Sequence, residues 1–221
     1  MRDAFHDELG QLGDTLVEMS HVVGSMMSRS TTALLDADAA LAEGVVRQDQ
    51  AIGGMRQYVE ETVFELLARQ QPVASDLRVM ISSLHVVTDL ERMGDLAVHV
   101  AKIALMRAPR SAVPAELRSV MLQMGQVAER VVEKASSTLA AKDAELAAEI
   151  AEDDEAMDAL HRKLFVILLG GRWSHGVEAA IDITLLGRYY ERFADHAVAV
   201  AQRVIFLVTG ELPASPLEVT E

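Results

Sequence analysis

Apolar residues recur at alternating steps of three and four along much of this chain, the period of an amphipathic helix. The first segment places them at Phe5, Leu9, Leu12, Leu16, Met19, Val23 and Met26. A second segment places them at Leu41, Val45, Ile52, Met55, Val59 and Leu66. A third carries Val87, Leu90, Gly94, Ala97, Ala101 and Ala104, where small residues let neighbouring backbones approach closely. Because no run alternates with a period of two for long enough to form a strand, the pattern predicts an all-α protein.

The second half of the chain repeats the plan of the first. Residues 38–42 (DAALA) resemble residues 143–147 (DAELA), and residues 49–52 (DQAI) resemble residues 154–157 (DEAM). All prolines lie outside the periodic segments, as expected if those segments are helices. We therefore predict two tandem three-helix bundles with six helices in all. The predicted parts are residues 5–107, a connection over residues 108–114, residues 115–209 and a polar tail over residues 210–221.

A charged pentapeptide occurs twice, one hundred residues apart. Its first copy is residues 91–95 (ERMGD) and its second is residues 191–195 (ERFAD). Apolar matches continue beyond each copy, over residues 96–101 and 196–201. A charged pattern that persists in both copies while its neighbours differ predicts two equivalent acidic sites.

Composition narrows the possible functions. Half of the 221 residues are apolar while only 4% are aromatic, which is typical of packed helices. The net charge of −14 disfavours binding to nucleic acid and favours cations and basic protein surfaces. The absence of cysteine excludes disulfides and thiolate chemistry. The acidic N-terminal residues lack the features of a signal peptide, and we expect a cytoplasmic protein.

The acids of the pentapeptide are spaced for joint binding of a cation. Glu91 and Asp95 are four residues apart, as are Glu191 and Asp195, so each pair lies on one helix face about 6 Å apart along the axis. A hard divalent cation between two carboxylates would turn their mutual repulsion into binding. The second helix of each bundle offers further oxygen ligands, and His99 adds a nitrogen. These supporting candidates are Asp49 in the first bundle and Asp154 and Asp158 in the second.

Two other readings of these acids stay open. Arg92, Arg188 and Arg192 lie three residues before motif acids, so the acids can form ordinary surface ion pairs that only solubilise the helices. The same carboxylates could also serve a metal-storage or enzymatic bundle. No pair of Glu-x-x-His motifs of the di-iron type occurs, and no nucleophile motif is present.

The order of these motifs resembles the PhoU family of bacterial phosphate-transport regulators. Residues 71–78 (QPVASDLR) are similar to the segment that opens the third helix in that family. Residues 89–95 (DLERMGD) and their copy at residues 191–195 are similar to its paired Glu-x-x-x-Asp motifs. The resemblance covers nearly the whole chain. The chain departs from the family at His99 and Ala199, where Asn is usual, and at residues 174–178, where the family's Pro-x-Ala-x-Asp-Leu-Arg segment is absent.

The resemblance implies a fold of two similar three-helix bundles, often assembled as a homodimer. It implies a non-enzymatic negative regulator of phosphate uptake and of phosphate-starvation signalling. Such an adaptor would link the ATPase subunit of the phosphate ABC transporter to a sensor histidine kinase at the inner face of the membrane. It also implies Mg, Mn, Zn or Fe ions, with Glu91, Asp95, Glu191 and Asp195 as primary ligands and Asp49, Asp154 and Asp158 in support.

Overall fold

The protein is built from long α-helices. A computed structural model describes residues 2–69, 72, 75–171 and 173–211. Its helices are α1 (Arg2–Asp36), α2 (Ala39–Arg69), α3 (Ser75–Arg107), α4 (Arg118–Ala141), α5 (Ala144–Ala148), α6 (Ile150–Leu168) and α7 (Gly176–Thr209), with a 3₁₀ turn over Ala115–Leu117. No strand occurs in these residues, so the predicted all-α class is confirmed. None of the described helices is both long enough and apolar enough to cross a membrane.

The periodic apolar positions form the interior, as the sequence predicts. Most of the predicted seam residues of α1, α2 and α3 are buried, and Leu9, Leu41 and Met55 pack against the core from partly buried positions. The second half adds larger side chains, with Tyr190 and Phe193 fully buried. Helix pairing along these seams therefore accounts for the fold without a sheet.

The described residues form seven α-helices, one more than the six predicted. The predicted fifth helix is two helices, α5 and α6, separated at Glu149. Glu149 has φ −69° and ψ −18°, values close to those of a 3₁₀ helix. A single residue of this kind interrupts the α-helical hydrogen-bond ladder, so the change is a local break in an otherwise helical segment.

The two halves pack side by side through four long helices. Helix α1 packs against α2, α3 and α4, while α7 packs against α3, α4 and α6. Helices α3 and α7 run antiparallel, since Arg107 at the end of α3 binds Asp182 near the start of α7. At the other end, Arg78 near the start of α3 lies against Gly210, just past the end of α7. The two α2/α3 and α6/α7 tips consequently lie at opposite ends of the molecule.

The core is continuous across the two halves. The Tyr190 hydroxyl of α7 lies 2.7 Å from the Thr31 hydroxyl of α1 in a buried hydrogen bond. Gly125 of α4 lies so close to Thr31 that an added Cβ would be 2.5 Å from the threonine methyl. Because packing crosses the connection, the division into residues 5–107 and 115–209 stays a prediction. Most of the predicted polar tail (residues 212–221), and residues 70, 71, 73 and 74 before α3, lie outside the described residues.

Candidate metal centres and an apolar groove

Glu91 of the first acidic motif is paired with an arginine side chain of the same bundle. The guanidinium of Arg56, on α2, donates to Glu91 and, through Nε at 2.8 Å, to Glu60. These hydrogen bonds raise the pKa of Arg56 above its ordinary value, and the bond to Glu60 has the larger effect. The positive charge that a metal ion would bring to Glu91 is therefore supplied by Arg56.

The other candidates of the first bundle are not gathered around Glu91. Asp95 accepts a hydrogen bond from Arg92 at 3.0 Å, one turn along α3. His99 stacks on Tyr189 of α7, with ring centroids 5.1 Å apart. Asp49 is exposed on α2 and makes no ion pair or hydrogen bond with another described residue. The four predicted groups of this bundle consequently face different surroundings.

Among the described residues, no cationic side chain of α6 pairs with Glu191 as Arg56 of α2 pairs with Glu91. Glu191 is paired with Arg188 of its own helix, and Asp195 lies 4.0 Å from Arg192. Asp158 of α6 pairs with Arg162 at 3.5 Å. Burial, together with the nearby charges of Asp195, Asp158 and Glu191, raises the pKa of Asp154 to about 6. These four acids on α6 and α7 thus lie close enough to repel one another.

One pair of equivalent positions accounts for the different surroundings of Glu91 and Glu191. In the 105-residue register of α2 and α6, Arg56 of the first bundle corresponds to His161 of the second. His161 packs against Gly187, and its Nε2 is buried without a hydrogen-bond partner. Reasoning from the motif alone missed Arg56. Aligning the helix before the motif, and not only the motif, would have identified it.

A hard cation suits the donors of the second cluster better than those of the first. The second cluster offers carboxylate oxygens with excess negative charge, which is what Mg²⁺ and similar ions bind. Among the described residues, however, no three His, Asp or Glu side chains lie in positions that would hold a metal ion together. Binding would therefore require side-chain rotation, such as release of Glu191 from Arg188.

The tip of the second bundle carries a large apolar groove. The groove, about 660 Å³, lies between the end of α6 and the start of α7. Leu169 and Val177 in its lining are 84% and 75% exposed. Its other apolar lining residues are Phe165, Leu168, Trp173, Ala180, Ile181 and Leu185. Clustered exposed apolar side chains of this kind occur at protein or membrane contacts and in ligand-binding grooves.

Known proteins share this chain's sequence and fold over nearly its whole length. The PhoU domain family matches residues 16–104 and 121–204. A "phosphate-specific transport system accessory protein PhoU homolog 2" of Mycobacterium tuberculosis is 49% identical over 213 residues, which are 96% of this chain and 100% of that protein.

Solved structures agree. The crystal structure of the phosphate transport system regulatory protein PhoU from Streptococcus pneumoniae superposes with a TM-score of 0.86 at 29% identity, over 96% of this chain and 100% of that one. The crystal structure of PhoU from Pseudomonas aeruginosa superposes with a TM-score of 0.83 at 32% identity, over 94% of this chain and 100% of that one. The predicted resemblance is thereby confirmed, and the chain belongs to the PhoU family.

Proposed function

We propose that this protein is a non-enzymatic regulator of phosphate transport, acting as an adaptor in the cytoplasm. Its near full-length likeness to phosphate-specific transport system accessory proteins carries this proposal. The adaptor would contact the ATPase subunit of the phosphate ABC transporter and a sensor histidine kinase. Expression of phosphate-starvation genes in a deletion strain grown in high phosphate tests it. We expect derepression, and continued repression without a compensating related copy would contradict the regulatory role.

The apolar groove at the α6/α7 tip is the surface we assign to the transporter ATPase. A partner with an apolar contact patch suits it, and the net charge of −14 favours basic residues around that patch. Homodimer formation stays a separate prediction, to be measured by light scattering.

A matched pair of variants tests this docking surface. Leu169→Ser with Val177→Ser removes exposed apolar side chains from the groove, whereas Val208→Ser changes a 46% exposed valine at the far end of α7. We expect co-purification with the ATPase to fall only in the groove variant. Equal binding by both variants would place the contact elsewhere, and a changed mass in the groove variant alone would assign the groove to self-association.

We propose in addition that the second acidic cluster binds one divalent cation. Its ligands would come from Glu191, Asp195, Asp154 and Asp158, while Glu91, Asp95 and Asp49 of the first bundle would bind none as long as Arg56 occupies Glu91. The like charges that surround the part-buried Asp154 support binding at the second cluster, and the Arg56–Glu91 ion pair supports the absence of binding at the first. The bound ion would supply positive charge that fixes α6 against α7.

Elemental analysis of the purified protein tests this asymmetry. Glu191→Ala with Asp195→Ala should abolish the bound metal, while the equivalent change Glu91→Ala with Asp95→Ala should leave it unchanged. Arg56→His, which copies His161 into the first bundle, should raise the metal content. Equal losses from the two double variants would contradict the proposed asymmetry, and many metal equivalents per chain would favour a storage role instead.

A further inference from the structure

An open groove of about 350 Å³ lies along the seam between α3 and α7. Its lining is rich in cationic side chains and borders both acidic clusters, since it includes Asp95, and its Arg188 and Arg192 pair with Glu191 and Asp195. We call it the seam groove. It is lined by Arg92, Asp95, Leu96, His99, Arg188, Tyr189, Arg192 and His196. Three arginines in one groove stand out in a protein whose acidic residues number 34 against 20 lysines and arginines.

The duplicated motif and the antiparallel packing together create this charge. Arg92 and Arg192 are the equivalent arginines of the two motif copies, and the tertiary structure brings both to one groove. Arg188 adds a third from α7, where the first copy has Thr88. The side chains of each motif copy therefore point to two different surfaces. The glutamate lies near the preceding helix, α2 for Glu91 and α6 for Glu191. The arginine of each copy lines the groove between α3 and α7.

Each arginine is held by a carboxylate of its own helix and keeps further donors. Nη1 of Arg92 contacts Asp95 at 3.0 Å, and Nη1 of Arg188 contacts Glu191. The contact of Arg192 with Asp195 is longer, 4.0 Å from Nε. A guanidinium has five N–H donors in a planar fork, so one-nitrogen pairing leaves the others available to a ligand. The side chains are also open to solvent, being 61%, 50% and 46% exposed for Arg92, Arg188 and Arg192.

The remaining polar groups around the groove set the charge that a ligand must carry. The His196 ring lies 3.0 Å from a carboxylate oxygen of Asp89, and His99 is stacked on Tyr189. Asp95 lies in the lining itself, while Glu191 and Asp195 pair with Arg188 and Arg192. A singly charged anion would gain little over these carboxylates. A compact anion with two charges and several acceptor oxygens can engage several guanidinium groups at once.

We propose that the seam groove binds a phosphate-type oxyanion through Arg92, Arg188 and Arg192. The groove is larger than one tetrahedral oxyanion, so the ligand class includes free inorganic phosphate and a phosphate monoester. This proposal requires neither a bound metal nor the apolar groove. Because Glu191 and Asp195 pair with two of its arginines and are also proposed metal ligands, anion binding is measured in metal-free protein.

Calorimetric titration of the chelator-treated full-length protein at constant ionic strength tests the proposal. One arm uses inorganic phosphate and the other uses O-phosphoserine as a monoester. We expect saturable binding in at least one arm. Tighter binding of phosphate identifies the free ion as the ligand, and tighter binding of the monoester identifies a phosphoryl group on a larger molecule.

Variants separate site binding from general charge effects. Arg92→Gln with Arg192→Gln should weaken binding at least about tenfold. Arg47→Gln is the control, because Arg47 is an exposed arginine outside the groove that is likewise paired with an acid one turn away, Glu43 on α2. Arg92→Lys with Arg192→Lys keeps the charge without the fork and should bind more weakly than the unchanged protein, even if the glutamine variant fails to fold. Absence of saturable binding in both arms, or equal affinities for the seam and control variants, would overturn the proposal.

Discussion

At the scale of single residues, Tyr190 shows how one buried polar group joins the two halves. Thr31 donates its hydroxyl hydrogen to the Met27 carbonyl at 2.9 Å, so it accepts the hydrogen bond from Tyr190. Burial raises the pKa of Tyr190, which keeps the phenol protonated as a donor.

Tyr190→Phe should therefore lower the free energy of unfolding by about 1 kcal/mol, measured by urea denaturation. Tyr189→Phe, which leaves this bond intact, is the control. An unchanged stability would mean that the buried bond contributes nothing.

Asp154 predicts a pH dependence of stability in the absence of metal. Its pKa of about 6 in the folded protein exceeds the ordinary value of 3.8, so the folded state binds more protons than the unfolded state between these values. Stability should consequently fall as the pH rises from about 4 to 6. The full shift corresponds to a change of about 3 kcal/mol in the free energy of unfolding. Because water screens the charges around a part-buried carboxyl, we expect a change of about 1 kcal/mol.

Removing the carboxylate charge tests that linkage. In the presence of chelator, Asp154→Asn should be more stable than the unchanged protein at pH 7 and should lose the decline between pH 4 and 6. Urea midpoints across this pH range measure it. A decline that persists in Asp154→Asn would assign the effect to another group.

At the scale of elements, the paired Asp38 and Asp143 are helix caps. Asp38 Oδ1 accepts from the Leu41 N–H at 2.9 Å at the start of α2. Asp143 Oδ1 accepts from the N–H groups of Glu145 and Leu146 at 2.9 and 3.1 Å at the start of α5. The similarity of these two segments therefore reflects the same local requirement, an acceptor for the first free N–H groups of a helix.

Removing the Asp143 cap should destabilise α5 more than the rest of the protein. Because α5 has only 5 residues, it depends strongly on its cap. Asp143→Ala should cost about 1 kcal/mol and increase amide hydrogen exchange in α5. Asp143→Asn keeps an acceptor and should retain most of the protection. Similar exchange in the alanine and asparagine variants would show that packing, and not the cap, holds this helix.

At the scale of the whole molecule, the shared core predicts cooperative unfolding. The single tryptophan, Trp173, reports on the second half, while circular dichroism reports on all helices. Since α1 and α3 pack against α4 and α7, urea transitions followed by the two signals should coincide. Two separated transitions would show that the halves are stable independently.

The Arg107–Asp182 ion pair provides a variant for the same measurement. Both Asp182 oxygens accept from Arg107, at 2.6 and 3.0 Å, and Asp182 is buried, whereas the side chain of the second partner, Glu178, is 72% exposed. Asp182→Asn should shift both transitions together to lower urea, and Glu178→Gln should have a smaller effect. A shift in only one signal would contradict the shared core.

Local apolar spacing is enough to specify most of the helices and the faces that they bury. Apolar spacing from Phe5 to Met26 requires a helix with one covered side, and the same period identified α2 and α3. The duplicated motif likewise established that two acidic helix turns exist. These features follow from local geometry, in which residues three or four apart share a face whatever lies opposite.

The contacts of each motif side chain depend on how the helices pack. Periodicity says that Glu91 and Glu191 lie on equivalent turns, but it cannot say that Arg56 lies opposite one and the acids around Asp154 lie opposite the other. Nor can it bring Arg92 and Arg192 to one groove, because their meeting depends on the antiparallel packing of α3 and α7. Charge interactions depend on distance through space, which helices remote in sequence acquire only when they pack.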